Sequence, residues 1–217
     1  MERLKIAVQI SGRGSNLQAL IDACAEPRYP AEIALVISNI AGAQGLERAT
    51  KASIQTRVID HRDYYSRRAF DSEMTREIMT AGAELICLAG FMRMLSDEFV
   101  DHWRDRLFNI HPSLLPAFKG LDVQAAAIEA GVRFSGCTVH FVRREMDTGP
   151  IINQSAVPIH DDDTADTLAA RILVQEHRIY PHAVRLIAEG RVTIEGERVM
   201  IDGAEAPAEA LINPTPV

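Results

Sequence analysis

Asn109 and His111 stand two residues apart in the stretch Leu107-Phe108-Asn109-Ile110-His111-Pro112-Ser113-Leu114-Leu115-Pro116. On a strand, that spacing points both side chains to one face. An amide donor and an imidazole then share one volume, where the two prolines forbid further sheet or helix. Such a pair suits an oxyanion stabiliser beside an acid–base group. By itself an Asn-x-His pair is more often structural, a strand end whose amide caps a turn and whose ring is half-buried. Other stretches must decide.

Two of them carry chemistry of their own. Ser11-Gly12-Arg13-Gly14-Ser15-Asn16 joins an apolar run to Leu17, Leu20 and Ile21 at helical spacing. A strand, a glycine turn and a helix N-terminus make an anion site from backbone N–H groups and the helix dipole. A tight turn that merely needs glycine explains the same letters, and both readings stand. A dinucleotide fingerprint fails, because position 17 is Leu and the next strand ends in Ser38-Asn39 rather than an acid. A single phosphate group fits better than NAD or ATP. Phe91-Met92-Arg93-Met94-Leu95 is unusually apolar for a loop. It either tucks into the core or lines an apolar slot with the arginine as clamp.

The elements that must position these groups are legible as short apolar runs between glycines. Strands are expected at Leu4 to Ile10, Ile33 to Ile37, Gln55 to Ile59, Glu84 to Ala89, Arg133 to Val142 and Ile151 to Val157, besides the one bearing Asn109. Helices are expected after Gly14, at Leu46 to Ala52, from His61 through Ile78 with Arg67 a turn inside, and at Asp122 to Ala130. A last helix, about Thr164 to Glu189, should be capped by Asp163 and kinked at Pro181. His160-Asp161-Asp162-Asp163 could be read as metal ligands, but helix capping is the better account. Arg191 to Ile194 and Arg198 to Ile201 suggest a terminal hairpin, and the Ala- and Pro-rich chain from Gly203 a loosely attached tail. Alternating β and α segments predict an α/β three-layer sandwich, a Rossmann-like, mostly parallel sheet with an antiparallel C-terminal part.

Composition excludes several classes. The 217 residues carry a net charge of −7 and are 47% hydrophobic, which argues against a nucleic-acid surface. Cys24, Cys87 and Cys137 are odd in number and form no CxxC, as expected of reduced thiols in a cytoplasmic protein. No apolar run approaches the ~18 residues of a membrane span. There is no G-x-S-x-G elbow and no H-E-x-x-H, so neither serine hydrolysis nor a metal is indicated. From the residues alone, a group transfer between a phosphorylated partner and a flat, largely apolar one is the remaining reading.

Six collinear segments resemble the folate-dependent phosphoribosylglycinamide formyltransferase family. They are Ile10-Ser11-Gly12-Arg13-Gly14-Ser15-Asn16-Leu17-Gln18, Leu88-Ala89-Gly90-Phe91-Met92-Arg93-Met94-Leu95, Asn109-Ile110-His111-Pro112-Ser113-Leu114-Leu115-Pro116, Thr138-Val139-His140-Phe141-Val142, Asp147-x-Gly149-Pro150 and Gln175-Glu176-His177. The resemblance covers about Lys5 to Gly190 and implies the formyltransferase fold. It also implies formyl transfer from 10-formyltetrahydrofolate, as co-substrate and without a metal, to the amine of glycinamide ribonucleotide in purine synthesis. Carried over by position, Gly14, Ser15 and Asn16 are expected at the substrate phosphate, Arg67 on the same substrate and Glu176 at its ribose hydroxyls. Met92, Arg93, Met94 and Leu95 match the pterin-binding stretch, and the loop with Arg143, Met146 and Asp147 matches one closing over the folate. Asn109, which also meets the folate, His111 and Asp147 match the catalytic trio. The trio would hold the oxygen of a tetrahedral intermediate, with the Asp147 carboxylate favouring an imidazolium at His111. A phosphate-binding half of about 1–105, a catalytic and folate half of about 106–202 and a tail at 203–217 follow from that placement.

One departure stands out: family members often carry a histidine shortly after the Pro-x-x-x-Gly segment, whereas Gly120-Leu121-Asp122-Val123-Gln124 has none. That touches secondary contacts rather than the reaction type. The nearest rival is formyltetrahydrofolate deformylase, which resembles the same domain with water as acceptor and carries a preceding regulatory domain. Methionyl-tRNA formyltransferase adds a basic C-terminal domain, against which this chain is acidic. The expected partners are small molecules, with neither nucleic acid nor membrane, and the expected state is a monomer or homodimer.

Overall fold

Short branched runs buried on both faces form the sheet, as expected of strands covered by helices on each side. The computed structural model describes residues 2–215. Seven strands lie in the order β3-β2-β1-β4-β5-β6-β7. They are β1 Leu4–Ile10, β2 Ala31–Ser38, β3 Thr56–Val58, β4 Leu85–Leu88, β5 Leu107–His111, β6 Phe134–Phe141 and β7 Ile151–Pro158. The pairs among β1 to β5 are parallel, while β5–β6 and β6–β7 are antiparallel. This is the three-layer, mostly parallel arrangement with an antiparallel end that the sequence predicts.

Alternation along β1 divides the core. Ile6, Val8 and Ile10 pack on one side with Leu17 and Leu20 of α1 (Ser15–Ala25) and Tyr180 and Val184 of α6 (Ala165–Ala188), α2 (Gln44–Lys51) giving Ala49. Ala7 packs on the other with Phe70, Met74 and Ile78 of α3 (Arg67–Thr80) and Phe99 of α4 (Asp97–His102). A third cluster joins Ala127 of α5 (Val123–Glu129) to Leu168 and Ile172 of α6 over the antiparallel strands. Strand order reverses at β1 and β4, so a crevice opens at their carboxyl ends, the usual ligand position in such sheets. The loops after β1, β4 and β5 all leave from that edge.

Several local expectations are corrected. The helix expected from His61 is a 3-10 turn, His61–Asp63, followed by a break. α3 starts afresh at Arg67, where Ser66 Oγ accepts from Ala69 N at 3.1 Å. Arg67 is therefore the first helical residue, not one a turn inside. α6 is capped by Thr164, in a reciprocal pair with Thr167, rather than by Asp163. Asp163 instead accepts from Arg171 at 2.7 Å, and these hydrogen bonds hold its carboxyl well below the usual carboxylate range. α6 runs on through Pro181, whose carbonyl accepts from Tyr29 Oη at 2.7 Å. α4 was not anticipated, although Ser96, with Asp97 and Glu98 after it, is an ordinary N-terminal signal.

β8 (Val192–Glu195) and β9 (Arg198–Ile201) form the expected hairpin. Its apolar positions Val192, Ile194, Val199 and Ile201 pack on the main core. The chain beyond Gly203 has no helix or strand among the described residues, yet Asn213 Nδ2 donates to Arg133 O at 2.7 Å and Ile159 O at 3.0 Å. No helix among the described residues is long and apolar enough to cross a membrane.

Candidate active site

β5 delivers Asn109 and His111 to the carboxyl edge. Its burial pattern is closed at Phe108 and Ile110 and opens at Asn109, so the amide faces a cleft while its neighbours face the core. The chain after His111 curls back tightly. Thr138 Oγ1 donates to Ser113 O at 2.7 Å and accepts from Leu115 N at 3.1 Å, while Gln154 Nε2 donates to Leu115 O at 3.0 Å. The curl brings Phe118 O to 2.9 Å from His111 Nε2.

The other ring nitrogen meets Asp147. Its Oδ2 lies 3.5 Å from His111 Nδ1 and accepts from Gly120 N at 2.8 Å. Asp147 sits in the left-handed region, φ +50°, on the loop between β6 and β7. The structure thus brings Asp147 to His111 although they are far apart in sequence. Both groups facing the ring are acceptors, and a neutral imidazole carries only one N–H.

The turn after β1 ends in α1. Gly14 occupies the N-cap with φ +68°, and no side chain caps the helix. The first-turn N–H groups are left for an external acceptor, and no acidic side chain stands in that turn. A Cβ on Gly14 would fall 2.7 Å from Gly45 Cα, so glycine is needed for contact with α2 as well as for φ. Asn16 is buried and its Nδ2 donates to Glu176 Oε2 at 2.7 Å. Burial pushes the Glu176 carboxyl up, opposed by that hydrogen bond and by the charge of His111. That bond ties the start of α1 to α6, which packs on β6, the strand beside β5.

The third wall is the loop after β4. Met92, Arg93 and Met94 are exposed and Leu95 is half-buried against the core. Met92, Met94, Met146 and Leu121 leave much of their apolar surface open at this edge, as a slot for a flat ring would need. Met92 N donates to Ser11 Oγ at 2.8 Å, which ties this loop to the phosphate-type turn. Arg67 is exposed at the start of α3. Both Arg67 and Arg93 place positive charge near Asp71, whose carboxyl burial pushes up and whose Oδ2 accepts from Ser96 N at 2.6 Å.

Arg143 departs from expectation. Its guanidinium is taken up by Asp105 and Glu197 at 2.8 and 2.9 Å, instead of being offered to a ligand. Sequence reasoning missed Thr138 and Gln154, which fix the curl, and Asp71, which is buried and accepts from Ser96 N. His140 lies within β6. It is buried beside Asn109 in the register, with Nδ1 at 3.0 Å from Phe141 O and 3.2 Å from Thr148 O. Burial pushes its ring well toward the neutral form. Buried acids and histidines within strands carry a signal only when the fold is known. Among the described residues no group of three or more His, Cys, Asp or Glu is arranged to hold a metal, and Asp161 is paired with Arg133.

Sheet, crevice and side chains define an α/β group-transfer domain with a phosphate-type helix terminus and an apolar slot meeting at a histidine–carboxylate pair. The sequence profile of the family described as formyl transferase matches residues 4–184, and the chain belongs to that family. It is 44% identical over 206 residues to the phosphoribosylglycinamide formyltransferase of Escherichia coli strain K12, covering 95% of this chain and 97% of that one. It is 53% identical over 192 residues to the trifunctional purine biosynthetic protein adenosine-3 of Gallus gallus. That match takes in 88% of this chain but only 19% of the relative, so the chain spans about a fifth of that longer protein. The solved structure of glycinamide ribonucleotide transformylase 1 from Symbiobacterium toebii superimposes with a TM-score of 0.90 at 51% identity, covering 92% of this chain and 94% of that one. A formyltetrahydrofolate deformylase from Burkholderia mallei shares the fold at TM-score 0.83 but only 28% identity, covering 92% of this chain and 70% of that one. The resemblance read from the six segments is borne out.

Proposed function

We propose that this chain transfers the formyl group of 10-formyltetrahydrofolate to the amine of glycinamide ribonucleotide, a step of purine synthesis, giving formylglycinamide ribonucleotide and tetrahydrofolate. The observation that carries the reading is the His111–Asp147 pair at the carboxyl end of β5, with the uncapped start of α1 following the carboxyl end of β1 in the same parallel part of the sheet. In this reading residues 1–105 supply the phosphate site and the pterin loop, and residues 106–202 supply the catalytic groups, the ribose contact and the loop closing over the folate.

The residues divide the work. The N–H groups of Ser15 and Asn16, freed by Gly14, take the phosphate, with Arg67 adding charge from α3. Glu176 accepts from the ribose hydroxyls. The exposed Met92, Met94 and Met146 and half-buried Leu95 take the flat ring, with Arg93 as polar clamp and Asn109 reaching the folate side. The folate supplies an activated formyl carbon. As the amine nitrogen forms its bond to that carbon, negative charge gathers on the formyl oxygen, where Asn109 donates one hydrogen bond and His111 donates a second from Nε2, which turns from Phe118 O to the ligand. The C–N bond to the folate then breaks and the amine's proton passes to the departing nitrogen, with His111 or a water as shuttle. Asp147 Oδ2 stands at His111 Nδ1 and orients the ring throughout.

Purified protein given 10-formyltetrahydrofolate should form tetrahydrofolate only when glycinamide ribonucleotide is added. Equal turnover without the amine would make the chain a deformylase. The dephosphorylated riboside should be a poor acceptor through a raised KM, as the helix terminus would then have no anion.

A further inference from the structure

The terminal hairpin lies outside residues 4–184, yet it reaches the loop that carries Asp147. That loop is closed at its root. Gly149 has φ +116°, and a Cβ there would fall 2.2 Å from Phe141 O and 2.9 Å from Arg143 Cγ. The Arg143 stem is therefore the surface against which the loop's far end packs. Its head is held on three sides: Nη1 donates to Val142 O at 3.1 Å, Nη2 to Asp105 Oδ1 at 2.8 Å and Nε to Glu197 Oε2 at 2.9 Å. The Arg143 side chain is only 9% exposed, unlike an ordinary surface ion pair. Glu197 also accepts from Arg104 Nη2 at 3.1 Å, and the neighbouring Arg144 pairs with Asp101 of α4.

Glu197 stands beside the tip of a hairpin whose apolar face is packed on the core, so it is a fixed point. A planar guanidinium between two carboxylates transmits that fixity in direction as well as distance. Asp147, four residues along, must hold its oxygen near both His111 Nδ1 and Gly120 N from a left-handed backbone. Such a conformation persists only where its surroundings impose it.

We propose that the β8–β9 hairpin, through Glu197 and with Asp105, clamps Arg143 and thereby positions Asp147 against His111. This rests on the formyl-transfer reading of the site. Glu197, Asp105 and Arg143 are positioning residues in this account. They act through the loop, and none of them touches the reacting atoms.

The test compares Glu197→Ala and the double variant Asp105→Asn/Glu197→Ala with wild type, Arg143 being left intact. The single variant should lower kcat about threefold and the double about tenfold, the scale on which small misplacements act. KM for glycinamide ribonucleotide should stay within about twofold, because its binding groups lie on α1, α3 and α6. Amide exchange of residues 143–149 should speed up while that of α1 does not. Unchanged kcat in the double variant would overturn the proposal. So would a fall in kcat accompanied by equal loosening of α1, which would mark general destabilisation. Failure of the formyl-transfer reading would appear separately, in wild type, as turnover that ignores the amine.

Discussion

His111 has acceptors at both ring nitrogens, Phe118 O at 2.9 Å and Asp147 Oδ2 at 3.5 Å. Replacing Asp147 by Asn keeps shape but removes the negative charge that faces Nδ1. Asp147→Asn should therefore lower kcat by roughly 100-fold or more, while leaving binding of the phosphorylated amine nearly intact. An effect confined to KM would contradict the role given to Asp147. Glu176 makes a different case, since burial raises its carboxyl above the ordinary value. A raised folded-state value stabilises below the unfolded-state value and loses that contribution as pH rises through the folded one. Glu176→Gln should then stabilise the ligand-free protein more at pH 8 than at pH 5, by urea midpoint, and raise KM for the ribonucleotide about tenfold. His140 carries the opposite sign. Its folded-state value is depressed by burial, so its contribution is full above the unfolded value near about 6.5 and is lost as pH falls toward the folded one. Stability should drop on acidification through that window, and less steeply in His140→Gln.

At the scale of elements, the turn into α1 is the most constrained. Gly14 needs both its positive φ and its missing Cβ, because Gly45 of α2 lies against it. Gly14→Ala should destabilise by about 1–3 kcal/mol and raise KM for the phosphorylated amine, read by unfolding and by steady-state kinetics. The central strands were legible because each is a short branched run with a glycine or polar stop, a pattern that burial on two faces demands, whereas β3 and β7 are partly exposed. The antiparallel end was legible from β6, the Arg143–Pro150 loop and β7 in succession. α4 was not, since six residues with Phe99 and Val100 as the only buried ones give no periodicity. The break at Tyr64–Ser66 was hidden because Phe70, Met74 and Ile78 set the period of α3 but not its start. Asp163 was mistaken for a cap because a neighbouring Thr competes for the same N–H groups, and only Arg171 shows where the carboxylate goes.

At the scale of the molecule, the sheet order determines what meets what. β1, β4 and β5 are neighbours, so the phosphate-type turn, the methionine–arginine loop and the Asn109–His111 pair leave from adjacent carboxyl ends. β6 runs back to end opposite Phe108, and the loop after it folds over so that Asp147 reaches His111. Residue types and order made this site legible, but mostly through the joint resemblance of six segments. Spacing within Leu107–Pro116 alone would have left a strand end. What stayed hidden was set by long-range packing: the Thr138–Gln154 hold on the curl, the bond of buried Asp71 to Ser96 N, and the turning of Arg143 toward Glu197. A long flexible side chain does not disclose its partner from its position in a loop.

The most direct measurement follows the formyl carbon itself. Protein is supplied with 10-formyltetrahydrofolate labelled at that carbon, in water, with glycinamide ribonucleotide present. The account predicts that the label appears on the ribonucleotide, one equivalent for each tetrahydrofolate formed. Label released as formate, at a rate indifferent to the ribonucleotide, would contradict it.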